Sequence, residues 1–446
     1  MNIHLSPSKL KSSSLITITG SKSETNRLLL LQALFPELEL KNTSNSDDSD
    51  VMLKALRDFS GTESNSQIIS HKSQIIDVHH AGTAMRFLTA YFAIQPNCEV
   101  VLTGSSRMKE RPIHILVNAL NELGAQIFYE EKEGFPPIKI KGTALVKSEV
   151  AIEANTSSQF ISALLLIAPK LKNGLKLNLK GEITSLPYIN MTLALLNEIG
   201  VETSFENNSI TINPLKTQNS KLITIESDWS SASYFYSIVA LSEIGTEITL
   251  SSYKKNSLQG DSVLSEIYKD FGVITVFKDD ETITISKDNI NDNSKFNINI
   301  KNQFQQPPSF GGVGGGFYNL NNSPDIAQTI AVTCFGLGIG CHLTGLHTLK
   351  IKETDRLEAL KTELTKLGAT ISVTDNTLTL SPSSPPSEGL GEAIKTYQDH
   401  RMAMAFAPLA LKTSLIIEDA EVVSKSYPDF WNDLESLGFT MEQLSV

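Results

Sequence analysis

The chain has 446 residues, 40% hydrophobic and 20% charged, the balance of a globular protein too long for one ordinary core. Its formal net charge of -11 argues against a general binder of nucleic acid or acidic membranes, which carry an excess of Lys and Arg. Any cluster of cations in this acidic background is therefore local and informative.

Three cysteines, Cys98, Cys334 and Cys341, show neither CxxC nor metal-ligand spacing, which fits a reducing compartment. Apolar runs such as 161–168 are too short to span a bilayer. The chain does not start with a cationic segment followed by an apolar core and a cleavage site, so a cytoplasmic location is expected.

In chain order, the β-prone run 16–19 predicts a first strand, followed by Gly20-Ser-Lys-Ser-Glu-Thr-Asn-Arg27 and the apolar run 28–31. At this strand-to-helix junction Lys22, Ser23 and Arg27 offer donors suited to a phosphate, although Ser and Thr cap most helices anyway. Ala81-Gly-Thr-Ala-Met-Arg86 is a small-residue turn that lets a ligand approach the backbone, or simply a tight turn before a buried helix. Arg107-Met-Lys-Glu-Arg111 places cations ahead of a helix from Ile113. Ser157, Ser158 and Gln159 precede the apolar run 161–168 as a row of uncharged polar groups, suited to oxygen ligands or to plain capping.

Further along, a domain boundary fits near Glu226 and Ser227, between a strand at 221–225 and a helix opened by Asp228. Two low-complexity stretches, the Pro/Gly run 305–316 and the Ser/Pro run 381–387, read as surface loops. Pro324 and Asp325 open a helix over 326–333, with Asp325 placed as an N-terminal carboxylate. Cys341 to Leu346 reads as a strand entering a turn, and Lys352-Glu-Thr-Asp-Arg356 then starts a helix whose Leu357, Leu360, Leu364 and Leu367 recur at helical spacing. Lys352 and Arg356, four apart, are expected to share a face at that helix N-terminus and to clamp an anion, with Glu353 beside them as a proton carrier. Asp399-His-Arg401 precedes another buried-looking helix, and Lys425 stands just before the last one.

A phrase recurs along the chain: an amphipathic helix ending in a hydrophobic residue and Gly, then a β-prone run. It occurs at Gly124, Gly200, Gly272, Gly368 and Gly438, with a weaker copy at Gly61. Glycine is what a helix needs where φ turns positive at its C-terminal cap. Six α/β units of about 70 residues result, one of them expanded, and they suggest two domains of three units each.

The ordered motifs GSKSETNR, AGTAMR, LTGSSRMKERP, SSQF, SLPY, SLQGD, PD, KETDR, YQDHRMAMAF and KSYPDF resemble the 5-enolpyruvylshikimate-3-phosphate synthase family of enolpyruvyl transferases, from Gly20 to Asp429. The resemblance implies an α/β fold of two inside-out barrel domains, six βαβαββ units with three per domain. The first domain would be 20–226 and the second 1–19 plus 227–446. It also implies transfer of the carboxyvinyl group of phosphoenolpyruvate to the 5-hydroxyl of shikimate 3-phosphate by addition and elimination. The partners implied are these two small molecules alone, with no metal, cofactor, nucleic acid or membrane, and the enzyme is expected to be a monomer.

Carried over by motif, shikimate 3-phosphate would meet Lys22, Ser23, Arg27, Ser157, Ser158, Gln159, Ser185, Tyr188, Asp325, Thr348 and Lys352. Phosphoenolpyruvate would meet Lys22, Gly82, Arg111, Gln159, Arg356, Arg401 and Lys425. Both substrates carry phosphate and carboxylate, so a cleft lined with cations from both domains is implied. Asp325 is expected as the base and Lys22 as its charge-stabilising neighbour. Glu353 is expected as the acid, which must keep its proton against nearby cations.

Four positions depart from the family pattern: His80 replaces the usual Asn, Phe87 the usual Pro, Leu186 the usual Lys and Thr348 an Asn. Two alternatives remain. A UDP-N-acetylglucosamine enolpyruvyl transferase would carry a reactive Cys near 107–111, where this chain has none. A non-catalytic anion-binding homologue would have lost an acid, base or clamp residue, and all are present.

Overall fold

The computed structural model describes residues 1–63, 74–155, 157–183, 186–215, 219–279, 281–288, 316–386 and 391–444, and these form a mixed α/β fold with six small sheets. The chain divides into two compact units, one of Met1–Ile18 with Ser227–Val446 and one of Thr19–Glu226.

In the unit Thr19–Glu226, two four-stranded sheets share one plan. Gln74–Asp77 pairs in parallel with Glu99–Thr103, then come Ile138–Lys141 and Gln126–Tyr129, both antiparallel. Glu149–Glu153 pairs in parallel with Leu175–Lys180, followed by Ser209–Ile212 and Thr203–Glu206 in the same sense. A parallel pair, Leu38–Lys41 with Lys221–Thr224, joins the beginning of the unit to its end. The parallel partners are linked through helices Gly82–Ala93 and Ser158–Ile167, as a parallel crossover requires.

Those two helices are the centre of this unit's core. Every residue of Gly82–Ala93 except Thr83 is buried, as is every residue of Ser158–Ile167 except Gln159. A helix apolar around its whole circumference has to be enclosed on all sides. The strands instead alternate, so Glu149–Glu153 turns Val150 and Ile152 inward and Glu149 and Glu153 outward. The two helices are therefore enclosed, and the strand turns one side inward.

The other unit repeats the plan three times. Ser13–Ile16 pairs in parallel with Glu247–Leu250, Gly316–Asn319 with Cys341–Thr344, and Glu392–Ile394 with Leu415–Ile417, and each pair continues into two antiparallel strands. In the last sheet one of those strands is Asn2–Ser6, between Leu415–Ile417 and Thr440–Leu444. The enclosed helices here are Trp229–Leu241, Ala327–Leu337 and His400–Phe406.

Some local expectations shift. The strand expected at 16–19 lies at Ser13–Ile16, because the parallel register sets Ile16 opposite Leu250 and ends there, and an earlier strand, Asn2–Ser6, was not expected. Gly124, Gly200, Gly272, Gly368 and Gly438 all take positive φ at or just beyond helix ends. Gly61 does not cap a helix, since Asp47–Glu63 runs through it. The Ser/Pro stretch forms no helix or strand over 381–386. The Pro/Gly run at 305–315 lies outside the described residues, and Gly316 opens a strand. Among the described residues no helix is long and apolar enough to cross a membrane, and the three cysteines are buried and free of disulfides.

Candidate active site

The helix Arg356–Lys366 begins where Asp355 caps it, the Asp355 carboxylate accepting the N–H groups of Leu357 and Glu358, each at 3.2 Å. Lys352 therefore precedes the helix in extended backbone, and the expected pairing of Lys352 with Arg356 one helical turn apart does not form. The two cations converge on one anion nonetheless. Asp325 Oδ1 lies 3.4 Å from Lys352 Nζ and 2.9 Å from Arg356 Nη1.

Arg356 is 1% exposed and engaged by three carboxylates. Its Nε donates to Asp399 at 2.6 Å, Nη1 to Asp325 at 2.9 Å and Nη2 to Glu353 at 2.9 Å. Burial alone would favour losing the proton, but Asp399, Glu353 and Asp325 hold the guanidinium well into its charged form. Arg401 closes the other side of Asp325: Nη1 donates to the Asp325 carbonyl at 3.0 Å, and Nη2 stands 3.4 Å from Oδ2 and 3.2 Å from Ser230 Oγ. Burial would raise the Asp325 pKa, yet Lys352, Arg401 and Arg356 together drive it well below the usual carboxylate range. Asp325 is thus ionised, as a base must be, and weakly basic while these cations hold it.

The turn feeding this cluster is tightly held. Tyr397 and Gln398 both take left-handed backbone, φ 54° and 56°, a conformation that costs non-glycine residues about 1–2 kcal/mol each. Buried Glu363 pays that cost through its carboxylate, which accepts from Tyr397 Oη at 2.6 Å, Lys366 Nζ at 2.6 Å and the Lys395 N–H at 3.2 Å. The turn delivers Asp399, which caps the helix His400–Phe406 through the Arg401 N–H at 2.9 Å. Lys425 Nζ donates to the Gln398 carbonyl at 2.8 Å, so it too stands on this turn.

In the unit Thr19–Glu226, helix Lys22–Leu34 carries Lys22, Ser23 and Arg27. Lys22 Nζ is 3.7 Å from Asp48, which also faces His80 at 3.9 Å. Arg27 is buried; it donates to Thr192 Oγ1 at 2.8 Å, Ser162 Oγ at 3.0 Å and the Ser23 carbonyl at 2.8 Å, between the rings of Phe87 and Tyr188. Burial pulls its pKa to about 10 despite Tyr188 and Glu24.

Gly82 and Arg111 are in direct contact: a Cβ built on Gly82 would lie 2.5 Å from Arg111 Nη1. Arg86, one helical turn on, donates to the Gly82 carbonyl at 3.0 Å and the Met108 sulfur at 3.6 Å, neither of them charged. Burial first, and then Arg111, push its pKa well down. Two guanidiniums side by side favour an anion between them. Gln159 donates to Thr83 Oγ1 at 3.1 Å and so stands beside Gly82. Ser157 caps the helix Ser158–Ile167 through the Gln159 N–H.

A family model described as EPSP synthase (3-phosphoshikimate 1-carboxyvinyltransferase) matches residues 7–434. The chain belongs to this family. A 3-phosphoshikimate 1-carboxyvinyltransferase of Bacteroides fragilis is 43% identical over 97% of both chains. One of Shewanella pealeana is 35% identical over 98% of this chain and 99% of its own. The structure of an EPSP synthase from Acinetobacter baumannii, 19% identical, matches the fold with a TM-score of 0.75 over 99% of this chain and 100% of that one.

Of the residues that resemblance to the EPSP synthases singled out, one cluster joins Asp325, Lys352, Glu353, Arg356 and Arg401, with Lys425 attached through Gln398. A second group joins Gly82, Arg111 and Gln159, and a third joins Ser23, Arg27 and Tyr188. Thr348 has its Oγ1 buried with no hydrogen-bond partner among the described residues. Ser158 is buried in its helix, and Ser185 lies outside the described residues. The sequence reading missed Asp48, Ser230 and Asp261 and gave Asp399 no role. Asp48 sits in an acidic first helical turn, where carboxylates serve the helix dipole anyway, so no local signal marked it.

Proposed function

We propose that the chain transfers the carboxyvinyl group of phosphoenolpyruvate to the 5-hydroxyl of shikimate 3-phosphate and releases phosphate. Family membership supports the reaction, and the observation that carries its chemistry is the Asp325 carboxylate held by Lys352, Arg356 and Arg401 beside Glu353. Asp325 takes the hydroxyl proton as the oxygen attacks C2 of phosphoenolpyruvate, and Glu353 gives a proton to C3. The tetrahedral adduct then breaks its C2–O bond to phosphate, the leaving phosphate takes the proton held by Asp325, and C3 returns a proton to Glu353, which restores the vinyl group and both carboxyl groups.

The three cations suppress the basicity of Asp325. Substrate phosphate and carboxylate groups compete for the same cations, so binding both makes Asp325 a stronger base and releases Glu353 from Arg356. The chemistry is coupled to correct occupancy. We assign phosphoenolpyruvate to Lys22, Gly82, Arg111, Gln159, Arg356, Arg401 and Lys425. We assign shikimate 3-phosphate to Lys22, Ser23, Arg27, Ser157, Ser158, Gln159, Ser185, Tyr188, Asp325, Thr348 and Lys352. Lys22 is assigned the role of charge stabiliser. The two units are read as inside-out α/β barrels of three βαβαββ repeats each, the domains 20–226 and 1–19 plus 227–446. The protein is read as a cytoplasmic monomer, and these proton transfers call for no cofactor.

The test is phosphate release with phosphoenolpyruvate plus shikimate 3-phosphate, run beside phosphoenolpyruvate plus UDP-N-acetylglucosamine. Release with the first pair alone supports the reading; release with the second alone, or with neither from folded protein, rejects it. Asp325→Ala and Glu353→Gln should each lower kcat by about 100-fold or more while the protein stays folded. Turnover like the unmodified enzyme's removes that residue from its role.

A further inference from the structure

Arg401 is held by Asp325 and by Ser230, and the reading of the chain expected neither contact. Its Nη2 donates to Ser230 Oγ at 3.2 Å, and Ser230 in turn donates a short hydrogen bond to Asp261. The direction of this chain is forced. A guanidinium has no acceptor, so the Ser230 oxygen must accept from Arg401, and its single hydrogen is left for the Asp261 carboxylate. Without an acceptor at Asp261 the hydroxyl is free to turn its hydrogen toward the cation.

The turn carrying Asp261 is built to keep it there. Gln259 is buried; its Oε1 accepts the Trp229 N–H and its Nε2 donates to the Ser227 carbonyl, both at 2.9 Å. The turn is thereby pinned to the start of helix Trp229–Leu241, one residue from Ser230. Asp228 fixes the same helix end by accepting from the Ser231 N–H at 3.0 Å and its hydroxyl at 2.8 Å. Asp261 itself is 6% exposed, an expensive place for a carboxylate with one hydrogen-bonded hydroxyl for support.

Resting on the proposed function, we infer that Asp261 is a positioning residue. Acting through Ser230, it fixes the Arg401 guanidinium against Asp325 and so sets the geometry with which Arg401 meets the phosphoenolpyruvate anion. The Gln259-Gly260-Asp261 turn, otherwise without a role in the chemistry, is its mount.

The experiment compares Ser230→Ala, Asp261→Ala, the double variant and Asp261→Asn with the unmodified enzyme in steady-state kinetics, with crystal structures of the two single alanine variants. One charge-assisted contact is lost in each alanine variant, so KM for phosphoenolpyruvate should rise about tenfold while KM for shikimate 3-phosphate changes less than twofold. The double variant should match the worse single variant, because both substitutions cut one chain. Asp261→Asn keeps an oxygen acceptor and should recover most of the loss. The Arg401 guanidinium should leave its Ser230 position in the alanine structures. Unchanged KM for phosphoenolpyruvate in both alanine variants overturns the inference, as does an unmoved Arg401. If the unmodified enzyme does not turn over, the proposed function fails, and the positioning claim is then decided by the two crystal structures.

Discussion

Removing the Asp399 carboxylate should destabilise the unit that contains it by about 4 kcal/mol. Its side chain is fully buried and accepts from Arg356 Nε at 2.6 Å, Arg356 Nη2 at 3.3 Å and the Arg401 N–H at 2.9 Å. Breaking a buried ion pair by deleting one partner costs about 3–5 kcal/mol. The lower end applies, because Arg356 keeps Asp325 and Glu353, each at 2.9 Å. Loss of a helix cap adds about 1 kcal/mol. Asp399→Asn keeps one oxygen for either the cap or Arg356, but its amide hydrogens face other donors, so about 2 kcal/mol is expected. The chain has two tryptophans, Trp229 and Trp431, both in the same unit as Asp399, so fluorescence during urea unfolding follows that unit. A loss below about 1 kcal/mol for Asp399→Ala would show that Arg356 does not depend on it and would refute the reasoning.

Three further outcomes follow from the structure. In Gly82→Ala the new Cβ must displace the Arg111 head, 2.5 Å from where it would stand, so KM for phosphoenolpyruvate should rise at least several-fold with an unchanged unfolding midpoint; an unchanged KM separates Arg111 from that substrate. The folded-state pKa of Asp325 is depressed, so the unfolded chain takes up that proton first as pH falls. Stability should decline below about pH 4, and Asp325→Asn should flatten that limb of a pH-dependent unfolding series. Asp261 has the opposite sign. Burial first, then the charge of Asp325, lift its pKa to about 7 against Arg401, so it adds stability at low pH that is lost as pH rises toward 7, and Asp261→Asn should remove this trend.

What could be read from the chain was what is written locally. Asp228 and Ser157 cap their helices, and the five glycines turn left-handed at or just past helix ends, because caps and positive-φ residues act within a few positions of themselves. Lys352 and Arg356 of KETDR do converge on a carboxylate, that of Asp325, but not from one helix face. Periodicity put Lys352 and Arg356 on one helix, but Asp355 competes for the same start and wins by satisfying two N–H groups. Arg27 reads as a ligand donor from its place at a strand-to-helix junction. Its burial among Thr192, Ser162, Tyr188 and Phe87 depends on residues far along the chain, which no local pattern reports.

The same limit explains why the chain hid Asp48, Asp261 and Asp399 better than it hid its cations. In a protein of net charge -11 a group of Lys and Arg stands out, whereas Asp48, Asp261 and Asp399 look like any acidic cap or turn. Yet the acids set the chemistry. Arg356 and Arg401 are kept charged by carboxylates, and Asp325 is kept weakly basic by the cations it helps to hold. An anionic substrate entering such a cluster meets charges already paired, so its binding is an exchange of partners rather than a simple attraction. Exchange weakens affinity relative to a bare cationic pocket, but it changes the basicity of Asp325 at the moment of binding, which uniform attraction would not do.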